Sequence, residues 1–119
     1  MPSNQLVPPT SPRGSVWNRW DPHIHAPGTV LNNQYPENSW QEFLARIEAS
    51  NPPIRALGIT DYYSVDLYET VVGHMRTGRL PGVGLMFANV EMRYGVGTGR
   101  GSPINVHLLV SPEDPDHLN

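Results

Sequence analysis

Short apolar runs alternate with amphipathic stretches along this chain, and this order restricts the possible folds more than any other feature of the sequence. Strands are predicted at residues 16–25, 54–60, 83–94 and 104–110, with helices at 39–50 and 64–76. The element order β-α-β-α-β-β predicts right-handed parallel crossovers between the first three strands. We therefore expect the opening of an α/β sheet or barrel, and the 119 residues allow one modest domain.

The two helices are predicted from apolar side chains at helical spacing. Ser39-Trp40-Gln41-Glu42 fits a capping box, in which the serine side chain bonds the backbone at the start of a helix. The apolar positions that follow are Trp40, Phe43, Leu44 and Ile47. On the second helix, His74 lies on the polar flank, which predicts that it faces solvent.

The segment before the first strand has a different composition. Residues 1–13 are rich in proline and serine, without the basic region and apolar run of a signal peptide. We predict a flexible leader at 1–13 and a single domain at 14–119. No window approaches a membrane span, so we expect a cytoplasmic protein without a membrane partner.

The first predicted strand ends in His23-Ile24-His25 and is followed by the turn-forming Pro27-Gly28. Two histidines at i and i+2 on an extended segment point to the same face, within reach of one metal ion. Chemistry in open α/β sheets and barrels occurs at the carboxyl ends of strands, where this pair is placed. The alternative is two half-exposed polar residues on an edge strand.

The chain contains no cysteine, so any metal must be held by histidine and carboxylate side chains. Such ligands suit Mn, Fe, Mg or Zn. The net charge is −3 and all eight cationic residues are arginine. This balance argues against a free-standing nucleic-acid binder, which would show a basic face, although it leaves room for local binding of phosphate.

Polar residues that can bind metals recur at the ends of the later strands. In chain order they are His23, His25, Asp61, Glu91 and His107. If the strand ends converge on one rim, these side chains could hold one or two divalent ions and support metal-assisted hydrolysis of a phosphoester. Read singly, His107 could be a satisfied core histidine, Glu91 the start of a loop, and Asp61 the cap of the second helix.

A glycine-rich tract at 95–102 separates the last two predicted strands. It fits no phosphate-loop pattern and lacks lysine, so we predict a mobile connection. Arg93 and Arg100 could offer guanidinium groups to a substrate phosphate. The alternative is a solvated pair of loop arginines.

Four segments together resemble a known family. Asp21-Pro22-His23-Ile24-His25, Gly58-Ile59-Thr60-Asp61-Tyr62, Asn89-Val90-Glu91 and Asn105-Val106-His107-Leu108-Leu109 are similar, in order, to the metal-binding motifs of the PHP (polymerase and histidinol phosphatase) superfamily. Over residues 14–114 the chain most resembles the PHP domain that opens bacterial TrlF-like AAA-type ATPases. The resemblance implies part of a (β/α)7 barrel, about its first four strands with two crossover helices.

The resemblance also implies roles for individual residues. His23 and His25 would bind the first metal, Glu91 would bridge metals, and His107 would bind a neighbouring ion. Asp61 would be catalytic, orienting a ligand or a metal-bound water.

Two further positions concern the surroundings of the metal. Asp21 would contact a metal-binding histidine without binding the metal itself, and Tyr62 occupies the position at which the family usually has a histidine. Many members have a further histidine shortly after the position of His25, and this chain has none there. We therefore expect one or two ions of Mn, Fe or Zn, and not three.

The expected function is that of a metal-dependent phosphoesterase acting on nucleic acid or a nucleotide, in DNA repair or phage defence. Because the family's later motifs are missing, we expect the front part of a larger protein, with a downstream ATPase domain or a completing chain as partner. The alternatives are a catalytically inactive scaffold that self-associates through an apolar sheet edge, and a nucleotide-binding regulator. His117, in the polar tail, is expected to be solvated.

Overall fold

The computed structural model describes residues 17–29 and 33–119, so the predicted leader at 1–13 lies outside it. Four strands and two helices are present in the described residues. They are β1 (Arg19–His25), α1 (Trp40–Glu48), β2 (Ile54–Tyr62), α2 (Asp66–Arg76), β3 (Leu85–Gly97) and β4 (Pro103–Val110). The predicted element order is therefore confirmed.

The four strands form one curled sheet in the order β1-β2-β3-β4. The pairs β1/β2 and β2/β3 are parallel, and β3/β4 is antiparallel. Each parallel pair is joined through a helix, as a parallel connection requires, whereas a tight turn suffices between β3 and β4. The α/β class is confirmed, and this mixed sheet is consistent with a partial barrel.

The hydrophobic core lies between the two helices and one face of the sheet, called here the helix-covered face. Alternate residues of β2 and β3 point into it and meet apolar side chains of α1 and α2. The main contributors are Leu57, Ile59, Met86, Ala88, Phe43, Leu44 and Val71. The intervening residues of the same strands point to the opposite side, called here the polar face.

The prediction of a capping box at the start of α1 is wrong. The Ser39 side chain makes no capping hydrogen bond, and its Oγ donates instead to the carbonyl oxygen of Pro36 at 2.7 Å. Glu42 pairs with Arg46 one turn along the helix. Because α2 begins at Asp66, Asp61 is too far away to cap it.

Two histidines are less exposed than predicted. His74 is half-buried because its ring stacks on Trp40, with 5.3 Å between ring centroids. His117 is also half-buried, and its Nε2 lies 2.9 Å from the hydroxyl of Tyr68. Packing between elements, which helical periodicity alone does not encode, explains both differences.

The glycine-rich tract is partly strand. β3 continues to Gly97, which pairs with Pro103 of β4, and the N–H of Thr98 donates to the carbonyl of Ser102 at 2.8 Å. The predicted connection is therefore a tight turn between paired strands. None of the helices in the described part of the chain is long and apolar enough to cross a membrane.

Candidate metal centre

β1 presents two imidazoles to the polar face. His23 and His25 lie two residues apart, while Ile24 between them packs toward the core. The pairing of β1 with β2 shifts register between Asp21 and Ile24, at Pro22, which has no N–H to donate to a neighbouring strand. The two Nε2 atoms lie 3.0 Å apart.

Glu91 reaches the same point from β3. Its Oε2 lies 3.4 Å from Nε2 of His23 and 3.5 Å from Nε2 of His25. The carboxylate is buried, and Oε2 has no hydrogen-bond partner among the described residues. We call His23, His25 and Glu91 the metal cluster, because one ligand atom of each could contact a single ion.

The separations of the three ligand atoms match those around a metal ion. Bonds of about 2.0–2.2 Å from a metal to imidazole nitrogen or carboxylate oxygen place tetrahedral ligand atoms about 3.3–3.6 Å apart, and cis octahedral ones about 3.0 Å apart. The observed 3.0, 3.4 and 3.5 Å fall on these values. An ion between them would contact Oε2, which accepts no hydrogen bond from the described part of the chain.

The lowered pKa of His25 also favours a metal. Burial lowers the pKa of His25, and the nearby His23 lowers it further, against the opposing effect of Glu91. A neutral imidazole offers the lone pair that a metal needs. The His23 side chain is 46% exposed, so the cluster is open to solvent on one side.

His107 of β4 lies beside the cluster. It pairs with Glu91 across the antiparallel strands, its Nε2 is 4.0 Å from Oε1 of Glu91, and its ring centroid is 4.8 Å from that of His23. Two amides hold the arrangement: Asn89 contacts Nδ1 of His107 at 2.8 Å, and Asn105 donates to Oε1 of Glu91 at 3.2 Å.

Neither amide was predicted as a site residue. The available signal was spacing, since Asn89 precedes Glu91 by two residues and Asn105 precedes His107 by two, which places each pair on one face of a strand. Nothing in a single segment indicates, however, that the four side chains meet across β3 and β4.

The two predicted aspartates lie outside the cluster. Asp61 is buried at the end of β2, where its Oδ1 accepts the N–H of Tyr62 at 2.8 Å, and alternation along β2 gives it the same face as Ile59. Its charge nevertheless opposes the lowering of the His25 pKa that burial and His23 cause. Oδ1 of Asp21 lies 3.4 Å from the backbone nitrogen of His23, so it contacts the main chain and not the imidazole.

Tyr62 and Arg93 extend the site along the polar face. The Tyr62 ring stacks on His25 with 5.6 Å between centroids, and the Arg93 guanidinium carbon lies 5.2 Å from the Tyr62 centroid. The hydroxyl of Tyr63 accepts the N–H of Arg93 at 2.9 Å and donates to its carbonyl at 2.8 Å. Arg100 lies apart from these residues, exposed in the turn after β3.

Comparison of the chain with protein-family models, with curated proteins and with solved structures finds no match. The described geometry brings His23, His25 and Glu91 together, with His107 adjacent. Only His25 ends its strand, whereas Glu91 and His107 lie in the middle of β3 and β4, so the predicted convergence of strand ends is wrong for these two residues. Such a set of nitrogen and oxygen donors on a solvent-accessible part of the sheet can bind a divalent ion through three protein ligands and leave positions open for water or substrate.

Proposed function

We propose that this chain provides the metal centre of a PHP-type, metal-dependent phosphoesterase. The observation that carries the proposal is the convergence of two imidazole Nε2 atoms on the buried Oε2 of Glu91, which has no hydrogen-bond partner among the described residues. The order of the strand-end motifs, which resembles that of the PHP superfamily, directs the metal centre toward phosphoester chemistry.

The set of donor atoms restricts which metals can bind and how many ions can be held. Two imidazoles and one carboxylate, without thiolate, suit Mn, Fe or Zn, and His107 would allow a second ion next to the first. Bound there, a divalent ion supplies Lewis acidity and a water molecule of lowered pKa. Glu91 would contribute a negative charge between the two positions, since its Oε1 faces His107 and its Oε2 faces the pair on β1.

Other residues of the polar face would bind and orient the substrate. Arg93 would hold a phosphoryl oxygen, because its backbone is fixed by Tyr63 and its guanidinium lies over Tyr62, next to His25. Asp61, on the helix-covered face, would act only through its charge, which opposes the lowering of the His25 pKa by burial. Arg100, in the turn, would contact only a substrate that extends beyond the cluster.

We further propose that the substrate is a phosphodiester in nucleic acid or a nucleotide, bound with the help of an additional domain or a second chain. The net charge of −3 supports this division, because the chain has no excess of cations with which to hold a phosphate backbone by itself. An ATPase domain in the same protein is the partner that the PHP resemblance suggests.

A second candidate is a catalytically inactive PHP-like scaffold that associates with another copy of itself. It is favoured by exposed apolar side chains on β3 and β4, namely Tyr94, Val96, Ile104, Leu108 and Leu109. The edge strand β4 could pair with its equivalent in a second copy. Concentration-dependent sedimentation together with absent hydrolysis would favour this candidate, and a metal-active monomer would exclude it.

Metal binding provides the first test. We expect purified protein, stripped with chelator and reloaded with Mn²⁺ or Zn²⁺, to retain metal and to unfold at a higher temperature. Metal at about 100 times the Kd adds about 2.7 kcal/mol to the free energy of unfolding. The double variant His23→Ala/His25→Ala should lose both effects, whereas His74→Ala, which changes a histidine stacked on Trp40, should keep them.

Hydrolysis of bis(p-nitrophenyl) phosphate by the metal-loaded protein provides the second test. We expect product that depends on added metal and disappears in the double variant. Equal metal retention by the wild type and the double variant would refute the metal centre. Retained metal without product would refute the phosphoesterase assignment.

A further inference from the structure

Asn89 is a buried amide that connects the strands bearing the histidines. It is 3% exposed, and both ends of its side chain have partners. Nδ2 donates to the carbonyl oxygen of Pro22 on β1 at 2.9 Å, and Oδ1 lies 2.8 Å from Nδ1 of His107 on β4. A single side chain of β3 therefore contacts both edge strands of the sheet.

The contact with β1 is possible because Gly58 of β2 lies beneath it. A Cβ atom at this position would be only 2.2 Å from the carbonyl oxygen of Pro22. The carbonyl belongs to the segment in which the β1/β2 register shifts, so it turns away from regular pairing and toward Asn89. Gly58 thus provides the space, and Asn89 the hydrogen-bond donor.

This arrangement determines the orientation of the amide and then the tautomer of His107. The Pro22 carbonyl can only accept a hydrogen bond, so the NH₂ group of Asn89 must face it. Oδ1 of Asn89 therefore faces His107, and an amide oxygen can only accept. Nδ1 of His107 must then carry the proton, which leaves the lone pair of a neutral imidazole on Nε2.

We propose that Asn89 is the positioning residue that commits His107 to metal binding through Nε2. The Nε2 atom is the one on the side of Glu91, 4.0 Å from Oε1, and the His107 ring is adjacent to that of His23. An imidazole without this partner would exchange between tautomers, and its Nε2–H form cannot bind a metal through Nε2. The part of this inference that concerns metal rests on the proposed function.

The tautomer can be measured without metal. We expect long-range ¹H–¹⁵N spectra of histidine side chains in the metal-free protein, at about pH 9 where ordinary imidazoles are neutral, to show His107 as the Nδ1–H form. Asn89→Asp, which keeps an acceptor for Nδ1–H but loses the donor to the Pro22 carbonyl, should preserve this form if the tautomer depends on the acceptor alone. Asn89→Leu, which removes the acceptor, should give mixed or Nε2–H signals. Asn105→Ala, which removes a donor to Glu91 but leaves the contact between Asn89 and Nδ1 of His107, should keep the Nδ1–H form.

An Nε2–H signal for His107 in the wild type would overturn the inference, even if no variant folded. An unchanged Nδ1–H signal in folded Asn89→Leu would also overturn it. Metal titration then tests the consequence: we expect Asn89→Leu to bind metal about 10- to 100-fold more weakly than wild type, with Asn89→Asp closer to wild type.

The tautomer measurement and the metal titration together distinguish failure of this inference from failure of the proposed function. If the wild type binds no metal but shows the Nδ1–H form that Asn89→Leu loses, the metal proposal fails and the assignment of Asn89 to the tautomer stands. If the wild type binds metal and Asn89→Leu binds it equally well, the positioning role fails and the metal cluster stands.

Discussion

The two faces of the sheet are built from alternate residues of the same strands and have opposite properties. On the helix-covered face, Leu57 and Ile59 are buried among apolar side chains of the helices. On the polar face, Thr60 and Glu91 are equally buried, yet Oγ1 of the first and Oε2 of the second lack hydrogen-bond partners among the described residues. Because buried polar atoms without partners destabilise a fold, the polar face adds less to stability than the helix-covered face, and it holds the three residues that could bind a metal ion.

Because the two faces carry different residues, we expect some substitutions to lower the stability of the protein and others to abolish metal binding. The largest loss of stability should come from a substitution on the helix-covered face. Leu57→Ala should lower the free energy of unfolding of the metal-free protein by about 2–5 kcal/mol, because Leu57 is 0% exposed and its truncation leaves a cavity in the core. Urea unfolding would measure this loss.

Glu91→Gln is the matched change on the polar face. It keeps an oxygen for Asn105 and removes a buried charge, so the metal-free protein should be no less stable, while metal retention is lost. If Glu91→Gln destabilised the metal-free protein as much as Leu57→Ala, the division between the faces would be wrong.

Gly58→Ala should lower both the stability of the protein and its affinity for metal. The added methyl group meets the Pro22 carbonyl and the Phe87 ring, so the shift of β1 that it forces should cost about 1–3 kcal/mol of stability. Metal affinity should fall as well, because β1 carries His23 and His25. Thermal unfolding and metal titration would measure the two effects.

Gly73→Ala is the control for this substitution. Gly73 lies within α2, and a Cβ there would have no neighbour within 4 Å, so alanine should stabilise the helix by up to about 1 kcal/mol and leave metal affinity unchanged. Equal effects of the two substitutions would show that the close approach at Gly58 does not hold β1 in place.

These contacts also show what could be predicted from the sequence. The periodicity of apolar residues is local, so β2 and both helices were found at nearly their observed bounds, and the spacing of His23 and His25 placed both on one face of β1. The PHP resemblance predicts the partnership of Glu91 with these histidines, but the expectation that Glu91 ends a strand is wrong, because it lies in the middle of β3. The role of Asn89 depends on the register of Thr60 with both His25 and Asn89, which is a property of three strands together.

Arg93→Gln tests whether Arg93, on the polar face, binds the substrate. If Arg93 binds a substrate phosphoryl group, its loss should raise the KM for bis(p-nitrophenyl) phosphate about tenfold, equivalent to about 1.4 kcal/mol, without changing metal retention. Arg100→Gln, in the exposed turn, should leave the KM for this small substrate unchanged. Lost metal retention in Arg93→Gln would assign Arg93 to the structure of the cluster instead.

The smallest expected effect concerns an ion pair between Glu48, at the end of α1, and Arg79, in the segment after α2. Glu48 accepts hydrogen bonds from Arg79 at 2.7 Å and from the N–H of Leu80 at 3.0 Å, and these bonds lower the pKa of Glu48 below its usual value. A lowered pKa stabilises the folded state above the unfolded-state pKa, and this contribution is lost as the pH falls through the folded-state pKa.

Glu48→Gln should therefore reduce stability at pH 7 by less than about 1 kcal/mol, and the difference from wild type should disappear in acid. Urea unfolding at a series of pH values would measure it, with Glu42→Gln, at a more exposed pair, giving a smaller change. Metal affinity at pH 7 should be the same in both variants. A change in metal affinity would mean that the helices transmit strain to the metal cluster, and the two faces would then have to be treated as one coupled unit.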